Sequence, residues 1–312
     1  MLNRLKGHIK GNLAGVPEIT FRIWKKDYGR NIMPLEDPSI KEYIRSSFIA
    51  GRAQCPMGCK TFEESLVLLD CNSMYPFVLG SFDYPSHKFK VAENIEGEDI
   101  KMGIYTCDVD QSEIRGMAII PYPGRTYDWN NKSFQENIIL TSVDIMVLRR
   151  YKAIVNIKSG YTFEPLSESP YRSLIRELSM ERRKSTDKSD DKLIKLSMNS
   201  LSGKITQHGY VHHSTFMYSY ARMWMYDIMY NFGGFENIRY TDTDSTLVTK
   251  SFYDILSRSN IDNFGPVIGP VIGQFKIEVE ADKAELYNSK RYLLLNKGRV
   301  VLDHRQEKLT EK

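Results

Sequence analysis

The chain has 312 residues, 41% of them hydrophobic, and a formal net charge of +4 from 43 basic and 39 acidic residues. This composition excludes a disordered chain, and the length allows one large or two modest domains. No apolar run approaches the ~18 residues of a transmembrane helix, and the N-terminus lacks the apolar core of a signal peptide, so we expect a protein of the cytoplasm or host-cell interior with no membrane partner.

The first predicted element with chemical interest is a buried strand. LVLLD, at residues 66–70, is a short apolar run that ends on Asp70. CNSMYP follows it as a turn into a helix or loop. Further along, residues 103–165 alternate in the manner of strands, with a helix near SVDIMVLRRY.

An antiparallel helical hairpin is predicted next. Ser169 and Pro170 suggest a cap followed by proline at the first helical position, and YRSLIRELSMERRK continues with good helix formers. STDKS interrupts the pattern. Ser189 can cap a second helix, and Gly203 is a typical C-terminal stop for it.

YTDTDS, at residues 240–245, is predicted to form a tight hairpin after an aromatic-rich helix over residues 214–231. Asp242 and Asp244 lie two positions apart, so in a strand they point to the same face. Carboxylates placed in this way repel each other unless a cation arrives, and a divalent metal ion suits them. QFKIEVE, KAELYNS, KRYLLL and GRVVL are then predicted as consecutive strands.

Asp70 adds a third carboxylate at a strand end, and the helical hairpin adds cations. Lys195 and Asn199 are four residues apart with Ser202 three further on, which places them on one helix face. Arg183 lies at the end of the preceding helix. Cations that bind phosphates, together with carboxylates that hold a bridging metal ion, fit a nucleoside triphosphate.

Four motifs, in order, resemble those of family B DNA polymerases. DCNSMYP (70–76), KLSMNSLSGK (195–204), YTDTDS and KRY (290–292) resemble motifs A, B and C and the lysine-any-tyrosine motif. FIAGR (48–52) resembles the loop that joins the exonuclease and polymerase domains. Residues 141–164 are similar to the stretch before the fingers in the protein-primed subgroup of bacteriophages, linear plasmids and related mobile elements.

The resemblance implies an α+β fold, with a palm whose antiparallel β-sheet bears the carboxylates and a fingers subdomain made by the helical hairpin. The implied domains are a joining segment (1–53), the first part of the palm (54–164), the fingers (165–205), the second part of the palm (206–300) and a tail (301–312). Neither the exonuclease domain nor a full thumb has room in the chain, so we expect both to be absent.

The implied function is template-directed DNA polymerisation, with deoxynucleotidyl transfer to a primer 3′-hydroxyl by two Mg²⁺ ions, for which Mn²⁺ can substitute. We expect it to serve replication of a virus or mobile element. Expected partners are primer-template DNA and deoxynucleoside triphosphates; a terminal protein primer and separate exonuclease or thumb-bearing subunits are further candidates. One alternative is a non-catalytic or split-polymerase subunit that binds primer-template or a terminal protein. A more distant alternative is a glycosyltransferase whose aspartate pair binds a metal-nucleotide sugar.

The family roles carry over to matching positions. The catalytic residues would be Asp70, Asp242 and Asp244, which with the Cys71 carbonyl would also bind the metal ions. The nucleotide would be bound by Ser73, Tyr75, Arg183, Lys195 and Asn199. The primer and DNA would be bound by Ser202, Gly203, Lys290 and Tyr292.

Some of these assignments carry a further expectation. Arg182 is an alternative to Arg183 as the phosphate ligand. The ring of Tyr75 would lie under the sugar and exclude a 2′-hydroxyl. Ser202 stands where the family usually has tyrosine, which alters the wall of the pocket for the nascent base pair. Two other positions depart from the family pattern. Thr241 stands before the first aspartate of motif C, where the family often has a small residue, and Ala50 replaces one of the two glycines usual in the joining loop.

Overall fold

The structure, a computed structural model, describes residues 1–9, 15–93, 100–124 and 126–304. The helices in these ranges are α1 Leu2–Ile9, α2 Val16–Asp27, α3 Pro38–Arg45, α4 Met74–Ser81, α5 Ser142–Arg150, α6 Arg172–Lys184, α7 Lys188–Gln207, α8 Val211–Asn231 and α9 Lys250–Leu256. The strands are β1 Ala53–Gln54, β2 Thr61–Cys71, β3 Pro85–Glu93, β4 Gly103–Asp110, β5 Gln135–Thr141, β6 Ile154–Pro165, β7 Ile238–Asp242, β8 Ser245–Thr249, β9 Asn260–Ile261, β10 Gly265–Pro266, β11 Phe275–Asn288, β12 Arg291–Asn296 and β13 Arg299–Asp303.

The chain divides into two compact units. The first comprises Met1–Ile49, Ser73–Gln111 and Phe134–Ala221, and the second comprises Ala50–Asn72, Ser112–Ser133 and Arg222–Lys312. None of the helices in the described ranges combines the length and apolar character that crossing a bilayer would need.

An antiparallel seven-stranded sheet organises the second unit, in the order β1-β7-β8-β2-β11-β12-β13. One face of this sheet carries the core, because alternate residues of each strand point to the same side. Leu66 and Leu68 of β2 pack there with Tyr240 of β7, Leu247 of β8 and Leu294 of β12, all of them buried. The predicted LVLLD strand and the YTDTDS hairpin are therefore confirmed and lie in one sheet, on the central strands β2, β7 and β8.

The first unit combines helices with an antiparallel four-stranded sheet in the order β3-β6-β4-β5. The strands and helix predicted within residues 103–165 are confirmed as β4, β5, α5 and β6. Helix α7 packs against both α2 and α6, which confirms the helical hairpin. The apolar side of α7 is buried through Ile194, Met198 and Leu201.

The ends of the hairpin helices differ from the prediction. Helix α6 starts at Arg172, two residues beyond Pro170. The cap of α7 is Asp187, whose carboxylate accepts from the backbone N–H of Ser189 at 2.7 Å. The helix also runs through Gly203 to Gln207. A glycine inside a helix costs only about 1 kcal/mol relative to alanine, which packing of the buried face offsets.

The segments QFKIEVE and KAELYNS form one strand, β11, rather than two. Between them lie only Ala281 and Asp282, neither of which is a glycine or proline that could start a turn. The pairing of β11 with β2 shifts register between Ile277 and Val279 and again between Ala281 and Lys283. The alternation of side chains is interrupted at these irregularities while the strand itself continues. As a result β11 runs antiparallel along the whole length of β2 and begins beside the carboxylate of Asp70.

Candidate active site

Three aspartates lie at one end of the central strands of the second unit. Asp70, near the end of β2, is paired in register with Ser245 of β8, and Ser245 is also paired with Asp242 of β7. Asp244 lies in the two-residue turn between β7 and β8. The backbone N–H of Cys71 donates to the carbonyl of Asp244 at 2.7 Å, which ties the turn to β2. The structure therefore brings these four predicted residues together.

The electrostatics of the cluster centre on Asp244. Burial raises the pKa of its carboxyl from 3.8 to about 6, and the negative charges of Asp70, Asp242 and Glu278 add to this pKa increase. Within the described residues no lysine or arginine forms an ion pair with Asp244. The negative charge of Asp244 is therefore not neutralised by a neighbouring basic side chain of the described residues, and such a charge attracts a cation.

Lysines neutralise the other two carboxylates. Lys276 of β11 lies 2.8 Å from a carboxylate oxygen of Asp70, and Lys290 lies 3.2 Å from one of Asp242. Lys290 was expected near the site, but the sequence analysis missed Lys276. Its position follows from the register of β11 on β2, which pairs Lys276 with Asp70. No local sequence signal specifies that register.

Tyrosines support the same corner. The hydroxyl of Tyr240 donates to a carboxylate oxygen of Asp242 at 3.1 Å and accepts from the backbone N–H of Lys290 at 2.9 Å. Lys290 has a left-handed backbone conformation, with φ of 74°. Tyr292 is 7% exposed, its ring centroid lies 4.8 Å from that of Tyr240, and burial together with Asp242 raises the pKa of its hydroxyl to about 12. Tyr292 is thus mainly a core residue whose polar end faces the carboxylates.

The donor chemistry of the cluster fits Mg²⁺, although its arrangement does not by itself make a metal site. Within the described residues no group of three or more His, Cys, Asp or Glu side chains is arranged so that it could hold a metal ion. Carboxylate oxygens are nevertheless the ligands that Mg²⁺ prefers. The like-charge repulsion that raises the pKa of Asp244 is also relieved by a divalent cation. To bind one, Asp70 and Asp242 would exchange their lysine partners for the metal ion.

The predicted nucleotide ligands of the helical hairpin lie in the first unit. Lys195 and Asn199 are exposed on α7, and Ser202 is half-buried on the same side, which is turned by about 100° from the buried Ile194 and Met198. Gly203 is exposed, and a Cβ added there would meet nothing within 4 Å. Lys195, Asn199 and Ser202 therefore share one side of the helix, as their spacing predicted, and that side is largely exposed.

The two arginines at the end of α6 differ in their surroundings. Arg182 is bound to Asp191 of α7, with 2.7 Å between its Nε and a carboxylate oxygen. Arg183 is exposed, and no described acidic side chain forms an ion pair with it. The guanidinium of Arg183 is thus available to an anionic ligand, whereas that of Arg182 joins the two helices of the hairpin.

Ser73 and Tyr75 lie at the start of α4. Ser73 is the cap residue in a left-handed conformation, with φ of 48°, and its buried hydroxyl oxygen has no hydrogen-bond partner within the described residues. Tyr75 is half-buried, and its ring contacts that of Tyr218 edge-on at 5.6 Å between centroids. A non-glycine residue at positive φ with an unsatisfied hydroxyl is typical of a functional position rather than a packing one.

The fold is that of a known class of nucleic acid polymerase. It is similar to phi29 DNA polymerase complexed with primer-template DNA and incoming nucleotide substrates, at 17% identity and a TM-score of 0.72, over 89% of this chain and 55% of that one. The same polymerase in an orthorhombic crystal form gives 16% identity and a TM-score of 0.72, over 94% and 58% of the two chains. Its complex with single-stranded DNA gives 18% identity and a TM-score of 0.72, over 93% and 57%.

A comparison of the sequence with models of protein families shows the family to which the chain belongs. Residues 12–255 match the family described as DNA polymerase type B, organellar and viral, and the chain belongs to this family. No curated protein matches the chain at a significant level. The chain spans a little over half the length of the phi29 polymerase structures that it resembles.

Proposed function

We propose that this chain catalyses template-directed addition of deoxynucleotides to a primer 3′-hydroxyl. One observation carries the proposal: in a member of the type B polymerase family, the hydrogen bond from the Cys71 N–H to the Asp244 carbonyl and the pairing of Asp70 with Ser245 bring Asp70 and Asp244 together at one end of the sheet. Such a carboxylate pair suits phosphoryl transfer, in which metal ions bridge protein and triphosphate.

Each carboxylate has a distinct part in the proposal. Asp70, Asp244 and the Cys71 carbonyl would hold two Mg²⁺ ions, with Asp242 in support; when bound, these ions make the 3′-hydroxyl more acidic and neutralise charge on the triphosphate. Asp244 is ionised and available as a ligand above about pH 6, the value to which its pKa is raised. Lys276 would neutralise Asp70 until a metal ion replaces it, and the Tyr240 hydroxyl would hold Asp242 in orientation.

The nucleotide would be bound by residues of the first unit. Lys195 and Arg183 are proposed to bind the triphosphate, because both are exposed cations on the helical hairpin that carries motif B. Asn199 shares the face of Lys195 and would line the site. The unsatisfied hydroxyl of Ser73 would gain a partner from the nucleotide or template, and the Tyr75 ring would exclude a ribose 2′-hydroxyl.

Primer and template would be bound through phosphates and through the exposed motif positions. Lys290 is the proposed ligand of the primer end, since its ammonium is largely exposed and lies beside the carboxylates. Tyr292 is proposed to act at the primer end beside Lys290, and its ring packs against Tyr240, whose hydroxyl accepts from the Lys290 N–H. Ser202 and Gly203 are proposed to lie along the nascent pair, where a serine leaves more room than the tyrosine usual in the family.

We also propose that synthesis starts in nature on the hydroxyl of a terminal protein and serves replication of a virus or mobile element. The support is the likeness of residues 141–164, which comprise α5 and all but the last residue of β6, to the protein-primed subgroup. Incubation with labelled deoxynucleotide and candidate terminal proteins tests this. A labelled protein that resists boiling in detergent is the expected result, and labelling that is confined to DNA would contradict it.

Primer extension tests the main proposal. The purified chain should extend a labelled primer on a template in Mg²⁺ or Mn²⁺, and Asp244→Asn should abolish extension without loss of DNA binding. The matched control is Asp262→Asn, an exposed aspartate of the same unit, which should extend normally. A folded protein that binds primer-template and adds no nucleotide would instead support a non-catalytic subunit.

A further inference from the structure

The turn that carries the aspartates is strained. Thr243, between Asp242 and Asp244, has a left-handed backbone with φ of 55°. A β-branched residue rarely adopts this conformation, which is strained and persists only when surrounding groups impose it. The threonine hydroxyl donates to a carboxylate oxygen of Asp242 at 3.0 Å, so the conformation of residue 243 directly sets the orientation of one catalytic side chain. Groups outside the turn must therefore hold Thr243 in place.

Gly51 is one of these groups. A Cβ added to Gly51 would lie 2.8 Å from both Cγ2 and Oγ1 of Thr243 and 3.0 Å from its Cβ. Real Cβ atoms essentially never approach other atoms so closely, and the stiff, branched threonine side chain has little freedom to move away. Only glycine at position 51 allows the backbone to lie directly against the turn.

Arg52 is the second group. Its carbonyl accepts a hydrogen bond from the backbone N–H of Thr243 at 2.6 Å. The adjoining strand β1 pairs with β7 so that Ala53 lies opposite Asp242. Two successive backbone contacts thus join the segment 51–53 to the turn and to the strand that leads into it.

The side chain of Arg52 anchors that segment in turn. Its guanidinium is buried, donates to Gln54 Oε1 at 2.8 Å and to the carbonyl of Ala118, and lies 4.4 Å from the ring centre of Trp129. Within the described residues no carboxylate forms an ion pair with Arg52. The guanidinium is thus held by an amide oxygen, a backbone carbonyl and an aromatic ring, which anchor the segment that carries the Arg52 carbonyl.

We propose that Gly51 and Arg52 are positioning residues that hold the Thr243 turn, and with it Asp242 and Asp244, in the geometry that the reaction needs. The inference rests on the proposed polymerase function. It adds that the two residues before β1 set the geometry of the carboxylates. Neither residue touches the reacting atoms. A displaced turn leaves the carboxylates present but misplaced, so turnover should fall while substrate binding by other residues persists.

A double-mutant cycle tests the contact. Gly51→Ala introduces the clash, and Thr243→Gly removes all three atoms that the new Cβ would meet and tolerates φ of 55°. We expect Gly51→Ala alone to lower kcat by about 100-fold, the order of effect of a misplacement near 1 Å. In the Thr243→Gly background the same substitution should change kcat by no more than about twofold, as for independent sites.

Two further measurements separate positioning from general damage. KM for the nucleotide should change by no more than about twofold in Gly51→Ala, when assayed well below its melting temperature. Mn²⁺ binding, followed by the electron paramagnetic resonance signal of the free ion, should weaken in Gly51→Ala and recover in the double variant. Gly7→Ala is the matched control, since a Cβ there meets nothing within 4 Å, and it should match the parent in every measurement.

The outcomes are distinct. An equal loss from Gly51→Ala in both backgrounds, or full activity of that variant, would overturn the positioning role. If Gly51→Ala does not fold, recovery of folding in the double variant supports the contact, and continued failure overturns it. If the parent extends no primer, the proposed function fails, while Mn²⁺ binding and melting temperature across the cycle still decide whether Gly51 holds the turn.

Discussion

Replacing Asp244 by asparagine should stabilise the metal-free protein. The pKa of Asp244 rises from 3.8 in the unfolded chain to about 6 in the folded one, chiefly through burial and then through Asp70. For an acid whose folded pKa is raised, ionisation opposes folding. This cost is absent below the unfolded value, grows between the two pKa values and is complete above about pH 6.

The magnitude follows from the size of the pKa increase. An increase from 3.8 to about 6 corresponds to about 3 kcal/mol of destabilisation at about pH 7.5. At about pH 4.5 only about 1 kcal/mol of this cost remains. Asp244→Asn removes the titrating charge and keeps a similar shape, so its stabilising effect should be about 3 kcal/mol at the higher pH and about 1 kcal/mol at the lower.

Urea unfolding of parent and variant at both pH values, with a chelator present, measures the difference. Asp262→Asn, at an exposed position, is the control and should change stability little at either pH. Excess Mg²⁺ should then stabilise the parent and not Asp244→Asn, because a ligand that binds only the folded state adds to its stability. The reasoning is refuted if the variant is no more stable than the parent at about pH 7.5, or if its advantage is the same at both pH values.

Three other predictions concern single residues of the first unit. Tyr75→Val should admit ribonucleotides by opening the space under the sugar; unchanged discrimination in single-turnover incorporation would mean that the ring only packs. Arg183→Ala should raise KM for the nucleotide, whereas Arg182→Ala should lower the melting temperature because it removes the ion pair with Asp191. A raised KM in Arg182→Ala together with a lowered melting temperature in Arg183→Ala would show that the two arginines have the opposite roles. Burial lowers the pKa of His213 from 6.5 to about 3, so its protonation opposes folding. The protein should therefore keep its full free energy of unfolding above the unfolded pKa and lose about 2 kcal/mol of it when the pH is lowered to about 5. Urea unfolding should show less of this loss in His213→Gln, and an identical loss would exclude His213 as its source.

Much of the site is specified by local sequence. The YTDTDS pattern places Asp242 and Asp244 on one hairpin, although Asp244 lies in the turn, where the two-residue period of a strand no longer applies. An apolar run that ends on Asp70 places a third carboxylate at a strand end. The spacing of Lys195 and Asn199 sets them on one helix face whatever the rest of the chain does. These features depend on residues within a few positions of one another, which is why composition and spacing were sufficient to predict them.

Other features depend on residues far apart in the chain, and only the tertiary structure decided them. The register of β11 on β2 sets Lys276 against Asp70, and the pairing of β1 with β7 brings Gly51 and its neighbours to Thr243. Burial among neighbouring charges raises the pKa of Asp244. Strand register and desolvation arise from the packing of the whole sheet, so no short stretch of sequence contains them. The sequence by itself determined which carboxylates and cations are present for the reaction. The assembled sheet decided which other groups orient those carboxylates and how their pKa values are changed.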